Sequence, residues 1–192
     1  MGEEIEVIDP DGFMLTVQLD AVSPERVEGI VVSERPHRPE PVARITIAIA
    51  NLPGPALELV LSRCTEAGAF AFHVFQAERS IARGAKQERW RTICREAAML
   101  AGRLRVPDVD SFASLPTVLE VSENPVMLVR AAPQKLSRMA EPPNLTLLVG
   151  PEGGWSDREL VLATVHAGLG PRNLRADTAA LVGLSIALAA RE

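Results

Sequence analysis

The sequence predicts an α/β fold with a mainly parallel sheet, preceded by a small β-domain. Three observations carry this reading. Residues 44–75 run strand, helix, strand, the opening unit of a parallel sheet. The apolar run Leu145, Leu147, Leu148, Val149 breaks at once into Gly150-Pro151-Glu152-Gly153-Gly154, as a short buried strand ending in a tight loop does. Residues 1–33 instead alternate apolar and polar side chains, the pattern of half-buried antiparallel strands.

The front of the chain reads as three strands. Glu4–Ile8 and Phe13–Leu19 alternate on either side of Asp9-Pro10-Asp11-Gly12, a strong hairpin turn, and Arg26–Val32 is the third strand. Three strands cannot close a barrel, so their edges need cover. Residues 34–43, Pro-rich and charged, read as a linker, with His37 an exposed loop residue. The expected organisation is a β-domain over 1–36, a linker over 37–43 and an α/β domain over 44–192.

In that domain Arg44–Ala50 is a buried strand, rich in β-branched residues. Pro53-Gly54-Pro55 ends it and opens a helix whose Leu57, Val60, Leu61 and Cys64 share one face, and Gly68 caps that helix. Phe70–Phe75 is the next strand. Gln87–Arg103 predicts a second amphipathic helix. Its buried stripe is Trp90, Ile93, Cys94, Ala97, Ala98 and Ala101, and Arg89, Glu96 and Arg103 line another face seven residues apart. Arg105–Pro116 reads as a loop, Leu115–Val121 as a short helix and Val126–Val129 as a strand.

After Val149, Ser156 and Glu159 form a capping box that opens a helix. His166 falls on a helical stretch and His73 in a strand, both structural. Gly168-Leu169-Gly170-Pro171 is a second glycine-rich turn, and an almost wholly apolar helix follows from Thr178 to Ala190. The two glycine-rich loops are either ordinary strand-to-helix turns or a ligand site, because open α/β sheets bind small ligands where such loops meet. Neither loop is a known phosphate cradle. Gly153 and Gly154 leave room for close backbone approach and positive φ.

The net charge of −5 argues mildly against nucleic acid, but it is unevenly spread. Residues 1–30 sum to −7 and residues 78–105 to +5. The basic run is either a phosphate-binding surface or a solvated face. Cys64 and Cys94 lack metal-type spacing and read as buried free thiols, and no metal site is expected. No apolar run reaches the length of a membrane span, so a cytoplasmic protein is expected.

LLVGPEGGWSDREL followed by LGPRNLRADTAAL resembles the two signature motifs of the RsmE family, 16S rRNA (uracil-N3)-methyltransferases of the SPOUT (α/β-knot) superfamily. The likeness extends upstream to about Arg44, through LELVLSRCTEAGA and ERSIARG. It implies a trefoil-knotted C-terminal domain behind a PUA-like β-domain whose first strands are missing here. It also implies S-adenosylmethionine as cofactor. Carried over by position, the cofactor residues are Val149, Gly150, Glu152, Gly153 and Gly154, with Leu169, Gly170, Leu174, Arg175, Ala176, Asp177, Thr178 and Ala179. Arg175 is the catalytic candidate, stabilising the uracil imide anion. Arg79 from the Glu78-Arg79-Ser80 motif, Glu96 and Arg103 are the candidate RNA contacts. The implied partners are 16S rRNA or the small ribosomal subunit, and a second copy of the chain paired through the last helix.

The chain departs from the family in places. Met99-Leu100-Ala101 replaces a polar pair, Arg130-Ala131-Ala132-Pro133 stands where a His or Glu is usual, and Asp177 replaces Glu. An active uridine methyltransferase, a methyltransferase with another RNA target, and a catalytically silent binding module are all consistent with these motifs.

Overall fold

The structure is a computed structural model that describes residues 2–130, 132–139 and 142–191; Met1, Ala131, Ala140, Glu141 and Glu192 lie outside the described residues. The chain divides into two compact units, one formed by residues 1–40 with 102–105, the other by 41–101 with 106–192.

The first unit is an antiparallel sheet in the order β1 (Glu4–Ile8), β2 (Phe13–Val22), β3 (Val27–Pro36). Its hairpin turn forms because Asp9 Oδ1 accepts from the N–H groups of Asp11 and Phe13 at 3.0 and 2.9 Å, while Gly12 takes φ of 86°. Ile5 stands opposite Val17 and Val17 opposite Val31; Val7 faces Leu15, and Val22 faces Val27. Opposed residues share a sheet face, so one face is apolar across all three strands. No described apolar residue of this unit is buried, and Val7, Val22, Val27 and Val31 on that face are exposed.

The boundaries differ from expectation here. β3 runs through Pro36, so Glu34, Arg35 and Pro36 are strand rather than linker. His37 is half-buried, with Nε2 2.6 Å from the carbonyl of Gly102. Arg103 does not extend a helix face. Its side chain is only 4% exposed and pairs with Glu40 at 2.5 Å. The carboxylate of Glu40 also accepts from the N–H groups of Leu104 and Arg105. Burial works to raise the Glu40 pKa, but these donors and the Arg103 charge hold it below the ordinary value.

The second unit is built on a six-stranded sheet, parallel throughout. Its strands are β4 (Arg44–Ala50), β5 (Ala71–Phe75), β6 (Asp108–Phe112), β7 (Pro125–Leu128), β8 (Asn144–Val149) and β9 (His166–Ala167), in the spatial order β6-β5-β4-β8-β7-β9. The helices are α1 (Gly54–Glu66), α2 (Gln87–Leu100), α3 (Leu115–Leu119), α4 (Asp157–Leu160) and α5 (Ala176–Ala189).

The aliphatic strands explain the layers. Ile45, Ile47, Ile49, Leu145, Leu147 and Val149 turn to one face and pack with Leu57, Leu61, Trp90 and Leu184 from α1, α2 and α5. Ala48, Phe75, Met127 and Leu148 turn to the other and meet Leu115 and Val118 of α3. Each such large side chain contributes about 1.5–3 kcal/mol on full burial. Gly68 ends the α1 connection at φ of 101°, and a Cβ there would come within 2.6 Å of Pro41.

Three local expectations are corrected. α2 ends at Leu100 because Gly102 turns the chain at φ of 64°, which leaves Ala101 exposed and detaches Arg103 from the face of Arg89 and Glu96. Residues 108–112, read as loop, form edge strand β6; their acidic and polar side chains suit an exposed edge and hide the alternation. His166 lies in the two-residue strand β9, not on a helix, and its Nε2 lies 3.0 Å from the Leu160 carbonyl. Among the described residues no helix is long and apolar enough to cross a membrane.

Candidate functional site

In a parallel sheet every strand delivers its loop at the same end. Here β7 and β8 are neighbours, β9 lies outside β7, and the chain then crosses back to place α5 over β8 and β4. The loops after β7, β8 and β9 therefore converge.

The first loop is shaped by its own side chains. A Cβ on Gly150 would come within 2.9 Å of the Trp155 ring, so glycine at 150 makes room for that indole. Trp155 donates from Nε1 to the Leu128 carbonyl at 3.0 Å and stacks on Phe75, linking the ends of β5, β7 and β8. Gly154 takes φ of 71°, and nothing lies within 4 Å of a Cβ built there. Gly153 has ordinary φ and lies against Arg79, so the conformational demand falls on Gly154 alone.

Two charged side chains tie this loop to the one after β5. Glu159, 3% exposed, accepts from the Ser156 N–H through Oε2 at 2.9 Å and from the Glu78 N–H through Oε1 at 3.0 Å. The Ser156 hydroxyl accepts from the Glu159 N–H, completing the capping box. Arg79 reaches across from the same β5 loop and donates from Nη1 to the carbonyls of Gly153 and Trp155 at 3.2 and 3.0 Å. Hydrogen bonds with one ionised partner contribute about 1.5–3 kcal/mol each when shielded, less for the exposed arginine.

The second loop is anchored by backbone. Gly168 donates to the Gln134 carbonyl at 2.8 Å and accepts from the Leu136 N–H at 3.1 Å. Gly170 follows at φ of 118°. Arg175 is the N-cap residue of α5, its guanidinium 3.8 Å from Glu152 and 3.7 Å from Asp177.

Between the two loops lies a cavity of about 580 Å³, the size of a cofactor site. Val149, Gly150, Glu152, Gly153, Gly154, Leu169, Gly170, Leu174, Arg175, Ala176 and Ala179 line it. Asp177 and Thr178 do not; the Asp177 carboxylate accepts from the Thr178 N–H at 2.7 Å and shapes the first turn of α5. Leu128, Val129, Arg130, Trp155, Leu160, Arg172 and Asn173 also line the cavity and were not expected. The strand 126–129 is legible in the sequence, but its place beside β8 is a matter of strand order, which periodicity does not carry.

The candidate RNA contacts do not gather there. Arg79 braces the loop, and Arg103 is held by Glu40 in the first unit. Glu96 is exposed on α2, where Arg89 pairs with Glu58 at 2.5 Å and Arg91 with Glu88 at 2.9 Å. His73 is also away from the cavity, and burial lowers its pKa, with the nearby Asp110 opposing. Cys64 is a buried free thiol, its pKa pushed up to about 12 by burial and by Cys94.

Residues 38–188 match the RNA methyltransferase domain family. Ribosomal RNA small subunit methyltransferase E of Bacillus subtilis is 32% identical over 96% of this chain and 80% of its own length. The chain belongs to the RsmE family. The Synechocystis enzyme of the same name is also 32% identical, with 96% of this chain covering 65% of that protein. Two solved structures, each described as holding S-adenosylmethionine, superpose closely. A putative methyltransferase from Legionella pneumophila gives a TM-score of 0.86 at 26% identity, covering 98% of this chain and 84% of that one. The Neisseria gonorrhoeae RsmE gives 0.85 at 27%, covering 96% and 81%.

This RsmE member is thus a SPOUT-type methyltransferase, and its cofactor is S-adenosylmethionine. The antiparallel sheet of the first unit fits part of a PUA-like domain. The cavity suits such a cofactor. Apolar side chains from Leu128, Leu169 and Leu174 can enclose an adenine, and the glycines expose backbone groups to it.

Gly154→Val should weaken S-adenosylmethionine binding at least tenfold, since a β-branched residue at this φ costs about 1–3 kcal/mol and its methyls enter open cavity space. Titration calorimetry checks this beside a melting curve. Unchanged affinity in a folded variant would place the cofactor elsewhere.

Proposed function

We propose that this RsmE transfers the methyl group of S-adenosylmethionine to N3 of a uridine in 16S rRNA, acting on the small ribosomal subunit or its RNA in the cytoplasm. One observation carries the reading: both signature loops close on a single cavity whose mouth holds Arg175. The names of the relatives support the RNA class.

When bound, the cofactor supplies a methyl group activated by a sulfonium. The chain's own part is alignment and charge. Val149, Gly150, Gly153, Gly154, Leu169 and Leu174 hold and shield the ligand, which converts a bimolecular encounter into an oriented one. Uracil N3 gives up its proton to solvent and attacks the methyl carbon as the methyl–sulfur bond breaks, with S-adenosylhomocysteine as the leaving group. Arg175 is 70% exposed at the mouth, loosely shared between Glu152 and Asp177, and is free to turn toward the oxygens on which the negative charge settles. A uridine edge engaged in pairing cannot enter, so the acceptor is an unpaired or flipped base.

Leu100 and Ala101 stand exposed at the end of α2, Leu100 at 82%, where the resemblance implies a polar pair. That apolar tip favours a second reading, the same chemistry on another RNA target. Incubating the purified protein with labelled cofactor and unmodified small subunits or their RNA separates the two. Label recovered as 3-methyluridine is expected. Label at any other position, or none, would overturn the uridine assignment.

The homodimer belongs to the same proposal, on a different helix face from the one expected. Gly183 and Ala187 are buried, and a Cβ on Gly183 would come within 3.0 Å of Leu128, so the small-residue stripe faces its own sheet. Leu184 is fully buried as well. The outward stripe is Thr178, Val182, Ser185 and Ala189, flanked by half-buried Leu181. Sedimentation equilibrium should give a dimer, and Val182→Glu a folded monomer. A parent at monomer mass would refute the pairing.

A further inference from the structure

Five of the eight basic side chains over 78–105 are engaged within the chain. Arg79 and Arg83 donate to backbone carbonyls, Arg89 and Arg91 pair with Glu58 and Glu88, and Arg103 is enclosed with Glu40. An arginine already neutralised by a carboxylate releases no RNA counterion without first breaking that pair.

The cavity rim is different. Arg130 follows β7, Arg172 lies in the loop between β9 and α5, and both are exposed cavity-lining residues. Among the described residues neither makes an ion pair, whereas Arg175, which also lines the cavity, is shared with Glu152 and Asp177. Two unneutralised guanidiniums therefore stand at the opening through which a base must pass. Guanidinium forks match phosphate oxygens in geometry and charge. A nucleotide whose base enters the cavity leaves its flanking phosphates at the rim.

We propose that Arg130 and Arg172 are the phosphate contacts that hold the RNA strand over the cavity mouth, in place of the α2 basic run. They act as substrate-positioning residues, and the inference rests on the reading of the protein as an RNA methyltransferase.

The test is filter binding of unmodified small-subunit ribosomal RNA transcript across a salt series, using the intact protein, Arg130→Gln/Arg172→Gln, the matching double lysine variant, and Arg89→Gln. Calorimetry with S-adenosylmethionine and melting curves accompany each. Each lost phosphate contact should reduce the slope of log affinity against log salt by roughly 0.7–0.9. The double glutamine variant is expected to lose about 1.5 from the slope and more than tenfold in low-salt affinity, with cofactor affinity and melting unchanged. The lysine variant should keep the slope, and Arg89→Gln should match the parent. Equal slopes in the double glutamine variant and parent would overturn the inference while leaving the RNA reading intact. A fall in cofactor affinity with unchanged slope would assign the pair to the cofactor and overturn it too. A parent that binds no RNA would sink both readings.

Discussion

The buried carboxylate of Glu159 is the interaction on which the site depends. It lies 3% exposed, and a charge in that position is tolerable only when its oxygens are fully used. One oxygen takes the Ser156 N–H, opening α4; the other takes the Glu78 N–H, from a loop 81 residues earlier in the chain. The same side chain is thus a helix cap and a tertiary clamp. Arg79 completes the join from the opposite charge, donating to the carbonyls of Gly153 and Trp155, just before the Ser156 amide that Glu159 accepts from. With both in place, the loop from Gly150 to Trp155 is fixed relative to the ends of β5 and β7, and the cavity has a wall.

The second constraint is strand order. Because β8 sits between β4 and β7, and β9 outside β7, the last helix must return across the sheet to reach α1. That return carries Leu169–Arg175 over the end of β8. The glycines follow from this geometry in different ways: Gly150 yields space to Trp155, Gly183 yields space to Leu128 and Leu147, and Gly154 and Gly170 supply left-handed turns. The first unit has no comparable closure. Its three strands leave an apolar face, including Val22, Val27 and Val31, open to solvent. Its acidic balance makes it a poor surface for a phosphate backbone.

Much of this was legible in the residues. The strand–helix–strand unit, the DPDG hairpin, the Ser156–Glu159 box and the two glycine-rich loops each have a local cause, and local causes are written in sequence. The errors have a common origin in non-local facts. Arg103 read as a surface helix residue because a heptad spacing continues through it, yet Gly102 ends the helix and Glu40 takes the guanidinium. β6 was missed because edge strands carry polar residues by design against aggregation. Asp177 and Thr178 belong to the motif, and in this structure they bond to each other in the first turn of α5 and do not line the cavity. Arg130, Arg172 and Trp155 could be placed only once β7, β8 and β9 were known to be neighbours.

Hydrogen exchange with and without S-adenosylmethionine tests the central claim most directly, since it reads the two loops amide by amide. Added protection is expected only in Gly150–Trp155, Leu169–Ala176 and the end of β7, with the Glu4–Pro36 sheet unchanged. Protection absent from both loops, or concentrated in another part of the chain, would contradict the assignment of this cavity to the cofactor.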